Sequence, residues 1–333
     1  MHDGNDHSSG TLWRRLLGKL NSLLSRKVLG RHRDEDPWLT KVRPVFIVGA
    51  PRSGSTILYQ TITAELRVAY INNLSCTLHN SLPFGFRLSR LLFMGRSHRC
   101  FSSRFGDTRQ CGWNAPSECG EFWYRWLDRE QHFVDWADMS SAMVREIRHE
   151  IGRATRIARL PLVFKNLNAG QRLRLISSVV PDARIIHIRR DPVDNVRSIL
   201  KSRKRIGVKP GRWWSIRPPG FEAYLRLPET ELCAAQLKGL TAQIEADRHL
   251  FPESSWLELN YEEFVQAPRD TLKRIAGFLG VCTREHGLSS SLGKRFVPSG
   301  QTNRRESRET AEIRRALGNE NIDSMIQANT RHE

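Results

Sequence analysis

Two short segments hold residues whose types and spacing could bind anions. Residues 49–56 read Gly-Ala-Pro-Arg-Ser-Gly-Ser-Thr. The frame is that of a phosphate-binding loop, Gly-x-x-x-x-Gly-Lys-Ser/Thr, in which a glycine-rich turn aims backbone N–H groups at an oxyanion and the following helix adds its positive end. The position that should be lysine is Ser55, and the cation is instead Arg52. A nucleotide triphosphatase needs that lysine on its β/γ phosphates, so the loop suits an oxyanion but not ordinary Walker-type chemistry. The second segment, residues 184–203, reads RIIHIRRDPVDNVRSILKSR. Arg190 closes a strand, Asp191 is a natural N-cap, Pro192 suits the first helical position, and Ser198 lies about two turns into the helix. An arginine fork and a serine hydroxyl can grip one phosphate together. The bland reading of the loop is a surface turn, and that of Arg190 is an ion pair with Asp191 or Asp194.

In this order and at this distance, the two segments resemble the 5′-phosphosulfate loop and the 3′-phosphate clamp of sulfotransferases that use 3′-phosphoadenosine-5′-phosphosulfate (PAPS). The resemblance covers roughly residues 44–66 and 160–282, and it implies a sulfuryl transfer from PAPS to an acceptor hydroxyl without a metal. It gives Arg52 and the backbone of Ser53, Gly54, Ser55 and Thr56 to the phosphosulfate, and Arg190 with Ser198 to the 3′-phosphate. The stretch Leu259–Val265 (LNYEEFV) matches another family segment and brings in Tyr261 as a nucleotide contact, against the alternative of a core tyrosine. Lys294 and Arg295 stand where relatives often close a loop over the nucleotide.

The base is open. Some relatives carry a histidine two residues after a strand-end lysine; here Lys165 is followed by Asn166 and Leu167, so the lysine is present for the sulfate or bridging oxygen and the histidine is not. Others use a glutamate, which points to Glu118, ahead of Glu121, with His79 further back. The bland reading of both glutamates is a solvated first turn of a helix. Sulfuryl transfer is expected to follow phosphoryl transfer in form, an in-line displacement with charge spread over the peripheral oxygens.

These residues need a scaffold that brings strand ends together. Pro44–Gly49 reads as a buried strand, followed by a helix from Ser55 to about Leu66. Leu160–Lys165, Ala183–Ile188 and Ser255–Leu259 read as three more strands. Helices are expected over 118–129, 140–159, 171–180, 192–202, 221–250 and 270–279. Strands alternating with helices imply an α/β fold, a P-loop-type parallel sheet flanked by helices in a single domain, with ligands beyond the carboxyl ends of the strands. Residues 75–115 read as an irregular insertion, and 201–220, which hold Trp213 and Trp214, as a mobile basic loop.

The chain has 333 residues and a net charge of +18, which fits a polyanionic partner of some kind. The sulfotransferase domain is expected over 43–300, with a basic amphipathic helix over 1–30, a linker over 31–42 and a polar tail over 301–333. Within the first, apolar residues of 11–29 recur at helical spacing among arginines and lysines. That pattern suits peripheral contact with an anionic membrane or packing on the domain or a partner. No run of apolar residues is long enough to span a bilayer. Six cysteines without metal-ligand spacing read as mostly reduced thiols, with a disulfide among Cys100, Cys111 and Cys119 as the alternative. The expected location is cytoplasmic, peripheral to the inner membrane face. Two rival functions remain: a P-loop nucleotide kinase, disfavoured by Ser55, and a nucleic-acid-binding protein, suggested only by the charge and the tryptophans near Arg203–Arg217.

Overall fold

Apolar runs near the starts of the strands set the architecture. The computed structural model describes residues 16–23, 41–284 and 308–331. In chain order the described elements are α1 (16–23), β1 (Val45–Val48), α2 (Ser55–Glu65), β2 (Ala69–Tyr70), α3 (Asn73–Thr77) and α4 (Leu82–Phe93). Next come α5 (Gly120–Trp123), α6 (Ser141–Ala158), β3 (Leu162–Lys165), α7 (Leu173–Val179), β4 (Arg184–Arg189) and α8 (Pro192–Ile206). The last are α9 (Glu229–Ala246), β5 (Trp256–Asn260), α10 (Tyr261–Gln266), α11 (Pro268–Leu279), α12 (Arg308–Leu317) and α13 (Glu320–Asn329).

The strands form one sheet in the order β2-β3-β1-β4-β5, and every pairing is parallel. β1 lies at the centre, and all four of its residues are buried. Alternate side chains serve opposite faces. Phe46 and Val48 join Phe164, Ile185 and the α6 residues Ile147 and Ile151 on one face, with Phe46 and Phe164 stacked at 4.9 Å. Val45 and Ile47 join Leu58, Ile62, Leu272 and Ile275 on the other. Burial of each such side chain contributes about 1.5–3 kcal/mol. The parallel sheet covered on both faces is the expected fold, and because the strands run the same way, the segments after β1, β3 and β4 meet at one edge.

Several local expectations are corrected. β2 was not foreseen, since two residues carry no periodicity. The segment 75–115 is not wholly irregular: α4 is a 12-residue helix. The helix expected over 118–129 shrinks to the single turn of α5, because Cys119 takes a left-handed φ of 41° and Phe122 and Trp123 then pack into the core around Phe164. α8 runs on to Ile206, and the loop after it is packed: Trp213 meets Phe221 at 5.2 Å and donates from Nε1 to the Ile216 carbonyl. The presumed polar tail holds α12 and α13, which bury Ile313, Ala316, Ile322 and Ile326 against α9 and its neighbours. Cys100 and Cys111 form a disulfide with Cα atoms 5.7 Å apart, which corrects the reduced-thiol reading for that pair. Within α1, Asn21 is buried; its Oδ1 accepts from the Asn80 backbone at 2.9 Å. Most of the expected 1–30 helix and residues 31–40 of the linker lie outside the described residues. Among the described residues no helix is long and apolar enough to cross a membrane.

Candidate functional site

At the carboxyl edge of the sheet, the glycine-rich loop turns between β1 and α2. Gly49 lies against β4, where an added Cβ would stand 2.5 Å from the Ile188 carbonyl. Gly54 has φ +93°, and an added Cβ would stand 2.2 Å from the Tyr261 ring. Both glycines are therefore required by shape. Arg52 itself takes φ 68°, a strained conformation for a side chain of that size and of the kind that clusters at functional sites.

The first turn of α2 contains no acidic residue, so nothing in it competes with an incoming anion. The backbone N–H groups of Gly54, Ser55 and Thr56 have no acceptor among the described residues. Ser53 differs from expectation. Its N–H donates to the Ala50 carbonyl at 3.3 Å, and its buried hydroxyl lines a separate cavity on the α9 side of the loop. The N–H groups left unengaged by this turn are those of Gly54, Ser55 and Thr56.

The distant clamp meets the loop directly. Arg52 Nε donates to Ser198 Oγ at 3.3 Å, and Arg190 Nη1 donates to the Arg52 carbonyl at 3.1 Å. Asp191 caps α8, accepting from the Asp194 N–H at 2.9 Å, and Asp194 pairs with Arg197. The neighbouring carboxylates of Asp191 and Asp194 are thus occupied elsewhere, and the buried Nε of Arg190 has no partner among the described residues. The Arg190 guanidinium lies 4.8 Å from the centre of the Tyr261 ring. Partial burial, then repulsion from Arg190 and Arg205, holds the Arg52 guanidinium below its ordinary value. Unneutralised cations crowded around one loop are what a multiply charged anion would stabilise.

Across the same cavity, of about 570 Å³, stands a second constellation. Lys165 ends β3 and is 2% exposed. Its Nζ donates to Thr56 Oγ1 at 3.1 Å and is ion-paired with Glu118 Oε1. Gly106 closes over that carboxylate so tightly that any Cβ there would collide with Oε1. Glu121 points away to Arg129. His79 is committed too, with Nδ1 on the Cys76 carbonyl at 3.0 Å and Nε2 facing Asn21. Of the three base candidates, Glu118 alone lines the cavity.

The walls were not foreseen. Phe101, Phe105 and Trp214 line the space, Phe105 and Trp214 edge to face at 6.0 Å, and Phe105 lies 6.0 Å from the Arg52 guanidinium. Trp214 had stood out in the sequence, but its partner Phe105 comes from the unmatched insertion, so spacing gave no sign of the pair. Lys294 and Arg295 lie outside the described residues.

This edge combines a glycine-rich turn with unengaged N–H groups, an arginine–serine contact and a lysine–glutamate pair. The description "Sulfotransferase family" matches residues 44–285. The chain belongs to the sulfotransferase family. The omega-hydroxy-beta-dihydromenaquinone-9 sulfotransferases Stf3 of Mycobacterium bovis and Mycobacterium tuberculosis are each 22% identical over 259 residues, covering 72% of this chain and 63% of theirs. The chain thus spans less than two thirds of the length of these relatives. Among solved structures, sulfotransferase STF1 of Mycobacterium tuberculosis H37Rv is similar at 15% identity and a TM-score of 0.48, with 96% of this chain and 85% of that one covered. The sulfotransferase domain of the Synechococcus PCC 7002 olefin synthase gives 16% and 0.41, with 90% and 98% covered.

One further cluster was invisible in the spacing. His187, Glu245 and Glu258 converge within metal-ligand range of one another. Arg189 and Arg248 sit on both carboxylates, so the group is an ion network that already has its cations. Burial, then Arg189 and Arg248, hold His187 neutral by pushing its pKa down to about 3.

Proposed function

We propose that the protein transfers a sulfuryl group from PAPS to an acceptor hydroxyl by in-line displacement. The observation that carries this reading is the contact of Arg52 with Ser198 and Arg190 beside a helix start whose first turn has no acidic residue. That donor set fits a nucleotide charged at both ends. Arg52 and the N–H groups of Gly54, Ser55 and Thr56 would hold the phosphosulfate, and Arg190 with Ser198 the 3′-phosphate. Tyr261, whose ring packs against Gly54, would contact the nucleotide.

In this scheme Lys165 stabilises charge on the sulfuryl or bridging oxygen, aimed by Thr56. Glu118 takes the proton of the acceptor hydroxyl as its oxygen attacks sulfur, and the bond from sulfur to the 5′-phosphate oxygen breaks. Preorganised donors of this kind act strongly because they need not reorient during reaction. Phe101, Phe105 and Trp214 favour an acceptor with an apolar or aromatic body. The cytoplasmic location and the peripheral membrane contact of residues 11–29 belong to the same proposal, as does a domain that begins near residue 43 and takes in α12 and α13 beyond the expected limit of 300.

Thermal-shift measurements test the donor. 3′-Phosphoadenosine-5′-phosphate (PAP) should raise the melting temperature more than ATP with Mg²⁺ does. A larger shift with ATP and Mg²⁺ favours the kinase reading, and salt-sensitive binding of random oligonucleotides without a response to PAP favours the nucleic-acid reading. Radiolabelled PAPS with an extract of the source cells would reveal the acceptor.

A further inference from the structure

The strands' amino ends form a second edge, opposite the candidate site, and it is strongly basic. A hollow of about 650 Å³ there is lined by Lys41, Arg43, Arg67, Arg159 and Arg184, and by no carboxylate. Arg43, Arg67, Arg159 and Arg184 have no ion-pair partner among the described residues. Arg43 precedes β1, Arg184 opens β4, Arg159 caps α6 and Arg67 follows α2, so four elements bring their cations to one place. Burial and then repulsion from Arg43 lower the Arg184 pKa, as expected of cations gathered without counter-charge.

The tip of α4 flanks this hollow. Arg90 Nη1 donates to the Ile157 carbonyl at 2.8 Å, two residues before Arg159. Arg284 bridges the Gly95 carbonyl at 3.3 Å and the Thr63 carbonyl at 3.1 Å, and the Arg67 N–H meets the Cys282 carbonyl at 2.9 Å. On that tip Leu91, Leu92 and Met94 are 75%, 57% and 69% exposed. Arg90 and Arg96 lie exposed beside them. Large apolar side chains standing in water next to a carboxylate-free basic hollow match the two requirements of a bilayer surface: acyl contact and anionic headgroups.

We propose that this edge docks on an anionic phospholipid bilayer, with a lipid phosphate in the arginine-lined hollow and Leu91, Leu92 and Met94 entering the interface. The surface is distinct from residues 11–29 and lies across the sheet from the nucleotide cradle. Docking there leaves PAP binding intact.

Sedimentation of the full chain with vesicles tests this. The protein should bind phosphatidylcholine vesicles doped with phosphatidylglycerol, not phosphatidylcholine alone, and the binding should weaken as salt shortens the screening length. Arg43→Gln with Arg67→Gln should lower partitioning about fivefold per charge removed. Leu91→Ser with Leu92→Ser and Met94→Ser should lower it as well, and these exposed positions should leave the melting temperature unchanged. Partitioning equal to the parent's in both variants overturns the proposal. So does partitioning that is lost in Leu16→Ser with Leu23→Ser while the other two variants keep the parent's, which would put the whole contact on α1. Binding of glycerol 3-phosphate without any vesicle partitioning also overturns it, in favour of a free phosphorylated metabolite.

Discussion

Replacing Glu118 with glutamine separates its chemistry from its structural part. The substitution removes a charge facing Lys165, which is 2% exposed. Stripping one partner from a fully buried pair costs about 3–5 kcal/mol. Here the cost is smaller for three reasons. The Glu118 side chain keeps 20% exposure, glutamine still offers a carbonyl, and Thr56 Oγ1 remains 3.1 Å from Nζ. An expected loss of about 1–2 kcal/mol corresponds to a melting shift of a few degrees. The transfer rate should fall far more, on the order of 10²–10⁴, because no base remains for the acceptor proton. The assay is PAP release at saturating PAPS with a simple phenol or alcohol that the parent accepts. PAP affinity, measured in parallel, should stay close to the parent's. A Glu118→Gln enzyme that keeps its rate within a few-fold, or loses rate only in step with PAP affinity, would refute the base assignment.

Other perturbations read other parts of the account. Arg52→Ala should cut the rate on the order of 10²–10³, as loss of one charge-stabilising donor does; a few-fold loss would remove Arg52 from the transfer step. Gly54→Ala should lower both stability and PAP affinity, since a left-handed φ costs roughly 1–2 kcal/mol and the Tyr261 ring occupies the space; circular-dichroism melts that match the parent would contradict that packing. His187 is depressed to about 3, so between its unfolded value near 6.5 and 3 the unfolded chain binds the extra proton. Stability should therefore fall as pH drops through that window, and His187→Asn should flatten the dependence by about one proton; an unchanged slope would count against the neutral, buried imidazole. Thiol titration of the denatured, unreduced chain should find only the four free cysteines, Cys76, Cys119, Cys233 and Cys282, and reduction should expose Cys100 and Cys111 as well. All six reactive before reduction would deny the disulfide.

The sequence disclosed those parts of the site that are local. The loop after β1 was legible because Gly49 is demanded by the nearby Ile188 carbonyl and Gly54 by its left-handed φ against the Tyr261 ring, and the Asp191 cap because one side chain satisfies one helix end. Lys165 and Arg190 were legible as strand-end cations, since a parallel sheet gathers its carboxyl ends. The aromatic side of the cavity was not legible. Phe105 and Trp214 meet only when the insertion folds back over α8 and the loop that follows it. Nothing in spacing distinguishes Glu118 from Glu121 until one faces Lys165 and the other Arg129. The turn of the Ser53 N–H toward Ala50 was not legible either, being a fact of backbone path rather than residue type. α12 and α13 were read as a tail because of their charge, although Ile313, Ala316, Ile322 and Ile326 carry the helical spacing that buries them.

The central claim is that one nucleotide is held at both ends, by the cradle at Arg52 and the clamp at Arg190. Calorimetric titration of PAP into the parent and into an Arg52→Ala/Arg190→Ala variant tests it most directly. Each charged hydrogen-bonding group should contribute about 1.5–3 kcal/mol, so the double variant should bind at least roughly a hundredfold more weakly. Equal affinity in the two proteins would mean that the nucleotide lies elsewhere.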